Sequence, residues 1–270
     1  MQLELINANV RHPSANHAAP ALHDLTLHVK AGEQIALIGP SGAGKTTLLH
    51  TLACAIRPHD GDYRAFGIAP WQVNDKKRHA LRKRLFLAPQ TPPLPPRQRV
   101  VTAVLAARLP QWSLWQAFAS LIKPSDPRAA FDALARLQLE DKLYARVDRL
   151  SGGERQRCGM ARLLVSTAEL FLVDEPLSAL DPTLASATLA VLQEEAGARK
   201  ATLICSLHQV ELARRHFPRI VGLRDGRIVF DTQSVTLTDA MIADLYAGRE
   251  AATPALPDVA SVAVPNIPCF

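Results

Sequence analysis

The sequence predicts an α/β fold carrying an α-helical insert, and three observations predict it. First, Gly39-Pro40-Ser41-Gly42-Ala43-Gly44-Lys45-Thr46 has the form G-x-x-x-x-G-K-[ST]. The short apolar run 34–38 precedes it and helix-like spacing over 47–53 follows, which is the strand–turn–helix setting this motif requires. Second, two more apolar runs, 170–173 and 202–207, read as buried strands and end on Asp174-Glu175 and on His208. Third, from about 91 to 149 the strand pattern gives way to prolines and then to helical spacing.

The loop at 39–46 is a phosphate cradle by its chemistry. Its glycines let successive backbone N–H groups turn inward toward a polyphosphate. The helix that follows adds the partial positive charge of its N-terminus. Lys45 brings a mobile cation, and the Thr46 hydroxyl is a hard oxygen ligand suited to Mg²⁺. The expected phosphate-contacting set is Gly39, Pro40, Ser41, Gly42, Ala43, Gly44, Lys45, Thr46 and Thr47.

Composition bounds the rest. The 270 residues are 48% hydrophobic and 21% charged, an ordinary globular balance. Aromatics are only 5%, so aliphatic side chains must fill the core. The net charge of +6 suits an anionic ligand, a nucleic acid or an anionic membrane surface, and equally a generally basic surface. Cys54, Cys158, Cys205 and Cys269 form no C-x-x-C pair, so neither a zinc site nor a disulfide framework is indicated. The first residues lack a basic region and a long apolar stretch, so no signal peptide is expected. No run of about 18 apolar residues exists, which leaves any membrane role peripheral.

Taken in order, residues 1–38 read as β-rich, with period-2 alternation over 25–30. The segment Val10-Arg11-His12-Pro13 falls where a base platform would sit; His12 is either a stacking residue or an exposed loop histidine. Pro58-His59-Asp60-Gly61 signals a turn. Lys76, Lys77, Arg78, His79, Arg82, Lys83 and Arg84 crowd nine positions without interleaved aromatics, the pattern of a solvated helix face. A strand over 85–89 ends at Gln90. Five prolines between 89 and 96 bar continuous helix or central strand there.

Residues 100–122 are apolar and helical, with Trp112, Trp115 and Phe118 spaced three apart, a face for core or interface. A second helix over 128–139 turns Phe131, Leu134, Leu137 and Leu139 inward. Ser151-Gly152-Gly153 opens a further helix and makes a second anion cradle. Asp174 can hold Mg²⁺ through its water shell, and Glu175 can polarise a water. A hairpin over 220–231 turns at Arg224-Asp225-Gly226. From about 250 the chain is rich in Ala, Pro and Val, has no clear period and is expected to be poorly ordered.

Together these pieces resemble the ATP-binding-cassette ATPases over residues 1–249. Leu150-Ser151-Gly152-Gly153-Glu154 is the string that separates that family from other phosphate-loop proteins. The resemblance implies a P-loop NTPase fold, with an N-terminal antiparallel β-subdomain and a helical subdomain inserted at about 91–149. It implies ATP and Mg²⁺ as ligands. Gln90 matches the loop glutamine that contacts Mg²⁺ and senses the γ-phosphate, Asp174 the metal-binding aspartate, Glu175 the catalytic glutamate, Asp181 the D-loop aspartate and His208 the switch histidine. Two copies are expected to sandwich two ATP molecules, with Lys45, Thr46, Gln90, Asp174, Glu175 and His208 of one subunit facing Ser151 and Gly153 of the other. The aromatic that the family stacks on adenine has no counterpart near residue 12, where His12 is the substitute. Pro89 stands where the family usually has Phe.

Within the family, softer stretches resemble the ATPases of phosphonate importers, and phosphate and phosphite importers share them, so the implied cargo is a phosphonate or a phosphate- or phosphite-like anion. They include Val104-Leu105-Ala106-Ala107-Arg108-Leu109 with Trp115, residues 139–148, and Ser206-Leu207-His208-Gln209-Val210. The implied function is an ATP-hydrolysing import subunit at the cytoplasmic face of the inner membrane. Its implied partners are a transmembrane permease and, indirectly, an extracytoplasmic substrate-binding protein; nucleic acid is not among them. The competing reading is a soluble cassette in a phosphonate-degrading enzyme complex. A chromosome- or ribosome-associated cassette would call for fused cassettes or a long coiled coil.

Overall fold

The computed structural model describes residues 1–11, 21–122 and 125–247. The strands are β1 (Leu3–Val10), β2 (Leu22–Val29), β3 (Gln34–Ile38), β4 (Asp60–Ala65), β5 (Leu85–Ala88), β6 (Leu170–Asp174), β7 (Thr202–Ser206), β8 (Arg219–Arg224) and β9 (Arg227–Gln233). The helices are α1 (Lys45–Leu52), α2 (Asp75–Arg82), α3 (Val100–Leu105), α4 (Leu114–Ile122), α5 (Pro127–Arg136), α6 (Gly152–Val165), α7 (Pro182–Arg199), α8 (Val210–His216) and α9 (Asp239–Tyr246). His12, Cys269 and the tail from 250 lie outside the described residues.

Two sheets organise these elements. An antiparallel sheet runs β2-β1-β4, and a six-stranded sheet runs β5-β6-β7-β3-β8-β9. In the larger sheet β5, β6, β7, β3 and β8 are parallel, and β9 adds an antiparallel edge. Side chains alternate faces along a strand. Ala36, Ile38, Phe171, Val173, Leu203, Cys205 and Ile220 therefore join the core beneath α3, α5, α6 and α7. Ile35, Leu37, Leu170, Leu172, Ile204, Val221 and Leu223 face α1 and the antiparallel sheet. Both faces are covered, which is why these strands read as unbroken apolar runs. At the β8–β9 turn, Asp225 (φ 48) and Gly226 (φ 73) both take the left-handed conformation that a tight hairpin demands.

The structure corrects several expectations. The continuous helix over 100–122 is broken into α3, a 3₁₀ stretch over Ala106–Gln111 and α4. Pro110, without an N–H, sits in the 3₁₀ turn, and Trp112 is extended. The chain restarts at Ser113, whose hydroxyl accepts the Gln116 N–H (3.3 Å) while the Gln116 side chain accepts the Ser113 N–H (2.9 Å). This reciprocal cap nucleates a new helix. The break also dissolves the aromatic face. Trp112 packs partly buried against the core, whereas Trp115 is 82% exposed and Phe118 63% exposed. Phe131 is exposed as well, under the Arg128 guanidinium, while Leu134, Leu137 and Leu139 are buried.

In place of the turn expected over 58–61, the chain bends at His59 and enters β4 at Asp60. Its inward Tyr63 and Ala65 are buried, and the Tyr63 hydroxyl donates to the Leu52 carbonyl at 2.6 Å. In the basic stretch Lys76, Lys77 and His79 are exposed, and Arg84 is held by a two-pronged bond to Glu169 (both 2.8 Å). Cys54, Cys158 and Cys205 are buried, unpaired thiols. Burial pushes Cys54 up to about 11 and Cys158 to about 12.

Candidate functional site

Four loops leave the carboxyl ends of neighbouring parallel strands β5, β6, β7 and β3, the edge at which open α/β sheets bind ligands. The loop after β3 is the glycine cradle. Gly39 (φ 146) lies so close to β8 that a Cβ would stand 2.0 Å from the Leu223 carbonyl oxygen. Gly44 (φ 101) is the N-cap of α1, and a Cβ there would meet Leu22 at 2.7 Å. At Gly42 (φ 81) a Cβ would meet nothing within 4 Å, so the loop is open on that side. The buried Lys45 ammonium donates to the loop carbonyls of Gly39 (2.6 Å) and Pro40 (3.1 Å), which folds the cation back over the cradle. Ser41 and Thr46 are exposed, Pro40 is half-buried, and Ala43 and Thr47 are buried.

The loops after β5, β6 and β7 converge on one carboxylate. Gln90 Nε2 donates to Glu175 Oε2 at 2.8 Å, and His208 Nε2 lies 2.5 Å from Glu175 Oε1. Asp174, 2% exposed, accepts the Ser206 hydroxyl at 2.6 Å. The same Ser206 oxygen accepts the Glu175 N–H at 2.9 Å. Gln156, from α6, donates to the Glu175 carbonyl (2.7 Å) and to Ser178 Oγ (3.1 Å), and it accepts the Ala179 N–H (3.1 Å). Ser206 and Gln156 escaped the sequence reading. Each sat inside an apolar run or a helix whose polar members looked incidental.

Ser151 and Gly153 begin α6, and the contacts described for them run to Glu154 and to the 179–180 turn. Ser151 forms a capping box: its hydroxyl accepts the Glu154 N–H (3.2 Å) and the Glu154 carboxylate accepts the Ser151 N–H (2.8 Å). That backbone bond holds the Glu154 carboxyl below its usual range. A Cβ on Gly153 would meet the Ala179 carbonyl oxygen at 2.8 Å and Leu180 at 3.1 Å. Asp181 caps α7, accepting from Thr183 (3.1 Å) and Leu184 (3.0 Å). Further along α6, a Cβ on Gly159 would stand 2.6 Å from the Pro92 ring, and Arg162 donates to the Pro93 carbonyl at 3.0 Å.

The sequence profile described as ABC transporter matches residues 22–178, more than half of the 270. The chain belongs to the ABC transporter family. As an ABC ATPase it binds and hydrolyses nucleotide. Similar proteins include the phosphonates import ATP-binding protein PhnC 2 of Albidiferax ferrireducens, 56% identical, with 92% of this chain and 90% of the relative aligned. Another, of the same name, comes from Pseudomonas aeruginosa, 50% identical over 99% of both chains. Among solved structures, this ATPase superposes with a TM-score of 0.72 on an ATP-binding cassette determined as a dimer in a post-hydrolysis state with ADP and Pi. That alignment covers 86% of this chain and 98% of that one. At 23% identity the likeness speaks for the fold. Among the described residues no helix is long and apolar enough to cross a membrane.

Proposed function

We propose that this ATPase is the energy-supplying subunit of a phosphonate importer, working as a homodimer on a transmembrane permease fed by an extracytoplasmic substrate-binding protein. The observation that carries the substrate class is the 56% identity, over 92% of the chain, to an ATP-binding protein named for phosphonate import. The permease would hold it peripherally at the cytoplasmic face of the inner membrane. In this reading residues 1–249 form the ATPase domain and about 91–149 its helical subdomain.

The cradle fits a nucleotide. Gly39 and Gly44 are places where a side chain cannot stand, Gly42 opens outward, and Lys45 is pre-folded over the loop. The oxygen donors Thr46, Gln90 and Asp174 suit Mg²⁺, which prefers few protein oxygens beside phosphate oxygens. When bound, ATP would supply the γ-phosphoryl group that passes to water, and Mg²⁺ would offset the charge on its oxygens. The chain supplies position and charge. Lys45 and the loop N–H groups neutralise phosphate. Glu175 takes the water's proton, with Gln90 and His208 at its two oxygens. Ser151 and Gly153 complete the partner's pocket.

Two measurements test this. Membrane vesicles holding the assembled importer should take up a radiolabelled phosphonate only with ATP inside reach of the cassette, and a deletion strain should lose growth on phosphonate as sole phosphorus source. Unchanged growth together with co-purification of soluble lyase subunits, and no membrane protein, would favour the degradative-complex reading instead.

A further inference from the structure

Glu175 occupies an unusual backbone position. Its φ is 47, the left-handed region that non-glycine residues enter rarely and only when the surrounding structure holds them there. The next residue is Pro176, whose ring disfavours the right-handed helical region for Glu175 and favours an extended backbone. Local sequence therefore works against the observed conformation, and tertiary contacts must hold it. The two backbone polar groups of Glu175 are both taken by side chains from other elements. Ser206, at the end of β7 and fully buried, accepts the N–H at 2.9 Å; Gln156, in α6 and 3% exposed, donates to the carbonyl at 2.7 Å.

Each of these side chains is itself oriented. The Ser206 hydroxyl spends its proton on Asp174 Oδ1, which turns a lone pair toward the Glu175 N–H. The Gln156 amide is fixed by Ser178 Oγ on its nitrogen and the Ala179 N–H on its oxygen. We propose that Ser206 and Gln156 are positioning residues that hold Glu175 in the left-handed conformation and so aim its carboxylate between Gln90 and His208. The proposal rests on the reading of Glu175 as the water-activating group. Without the clamp Glu175 relaxes toward extended backbone and its carboxylate leaves the site, while the phosphate cradle at 39–46 is untouched. The clamp also joins elements far apart in sequence, since Gln156 stands five residues into the helix that opens at Ser151.

The test uses the purified full chain with Ser206→Ala, Gln156→Met and, as a restoring change, Ser206→Thr. Ser206→Ala and Gln156→Met should each lower kcat on the order of 10²-fold, the loss expected of a misplaced group, while the ATP KM and the ATP Kd stay within about twofold. Ser206→Thr, which keeps the hydroxyl, should recover most of the rate. Should Ser206→Ala fail to fold, Gln156→Met decides, because the isosteric thioether fills the same volume without donating. Folded variants that turn over at the parent rate would overturn the proposal, as would a parallel loss of kcat and nucleotide affinity. Glu175→Gln separates the two ideas. If it hydrolyses ATP at the parent rate, the reading of Glu175 fails. If it is inactive while the clamp variants are not, the positioning role alone fails.

Discussion

His208 Nε2 stands 2.5 Å from Glu175 Oε1, a contact between residues in the loops just beyond two adjacent parallel strands. The pair exists because β6 and β7 are in register, with Asp174 beside Ser206, so each loop begins at the same height above the sheet. Glu175→Gln keeps the shape and the Gln90 contact but cannot take a proton. ATP binding should persist and turnover should fall on the order of 10²–10⁴-fold, the usual worth of a positioned general base. Single-turnover hydrolysis beside equilibrium nucleotide binding checks this, and size-exclusion chromatography should show an ATP-dependent dimer that outlasts the parent's.

The glycines of the cradle should differ in how they tolerate a methyl group. Gly42→Ala meets open space and should cost about 1–2 kcal/mol from its left-handed φ alone. Gly39→Ala drives a Cβ to 2.0 Å from the Leu223 oxygen, and should destabilise beyond the roughly 1–3 kcal/mol of ordinary overpacking. Urea denaturation of the two variants measures the gap; equal midpoints would contradict the described loop.

Acid should loosen the start of α6. The Ser151 N–H lowers the Glu154 carboxyl pKa in the folded chain from its ordinary 4.5. A depressed folded value means the cap contributes fully above the unfolded pKa and is lost as pH falls through the folded one. Glu154→Gln retains an accepting oxygen that does not titrate. Stability followed from pH 7 downward should therefore fall less steeply below the carboxylate range in Glu154→Gln than in the parent.

Trp115 and Phe118 project from α4 into solvent, and the proposed permease is what would cover them. Replacing both with alanine should leave the isolated chain's stability within about 0.5 kcal/mol, as for exposed sites generally. The same change should weaken co-purification with the permease and lower the ATPase stimulation it gives. Unaltered association would remove α4 from the interface.

Much of this was legible in the sequence because certain residues are dictated by backbone geometry. The glycines at 39 and 44 sit where no Cβ fits, and the apolar runs 170–173 and 202–207 had to be central strands, which placed Glu175 and His208 at one edge. The D-G pair at 225–226 announced its hairpin for the same reason. What stayed hidden depends on contacts between distant segments. Gln156 and Ser206 act through partners 19 and 31 residues away. β4 is half charged, so its alternation of Asp60, Asp62 and Arg64 with Tyr63 and Ala65 looked like loop. The split of 100–122 was written in Pro110 and the Ser113–Gln116 cap, and it was masked by uniform apolarity.

One close approach has a mechanical side. The middle of α6 rests on the stretch after Gln90 so tightly that Gly159 leaves no room for a methyl group against Pro92, and Arg162 ties the neighbouring Pro93 from the same helix. The proline stretch and the helix that opens at Ser151 are therefore seated on one another at two successive turns, with no slack between them for an extra carbon.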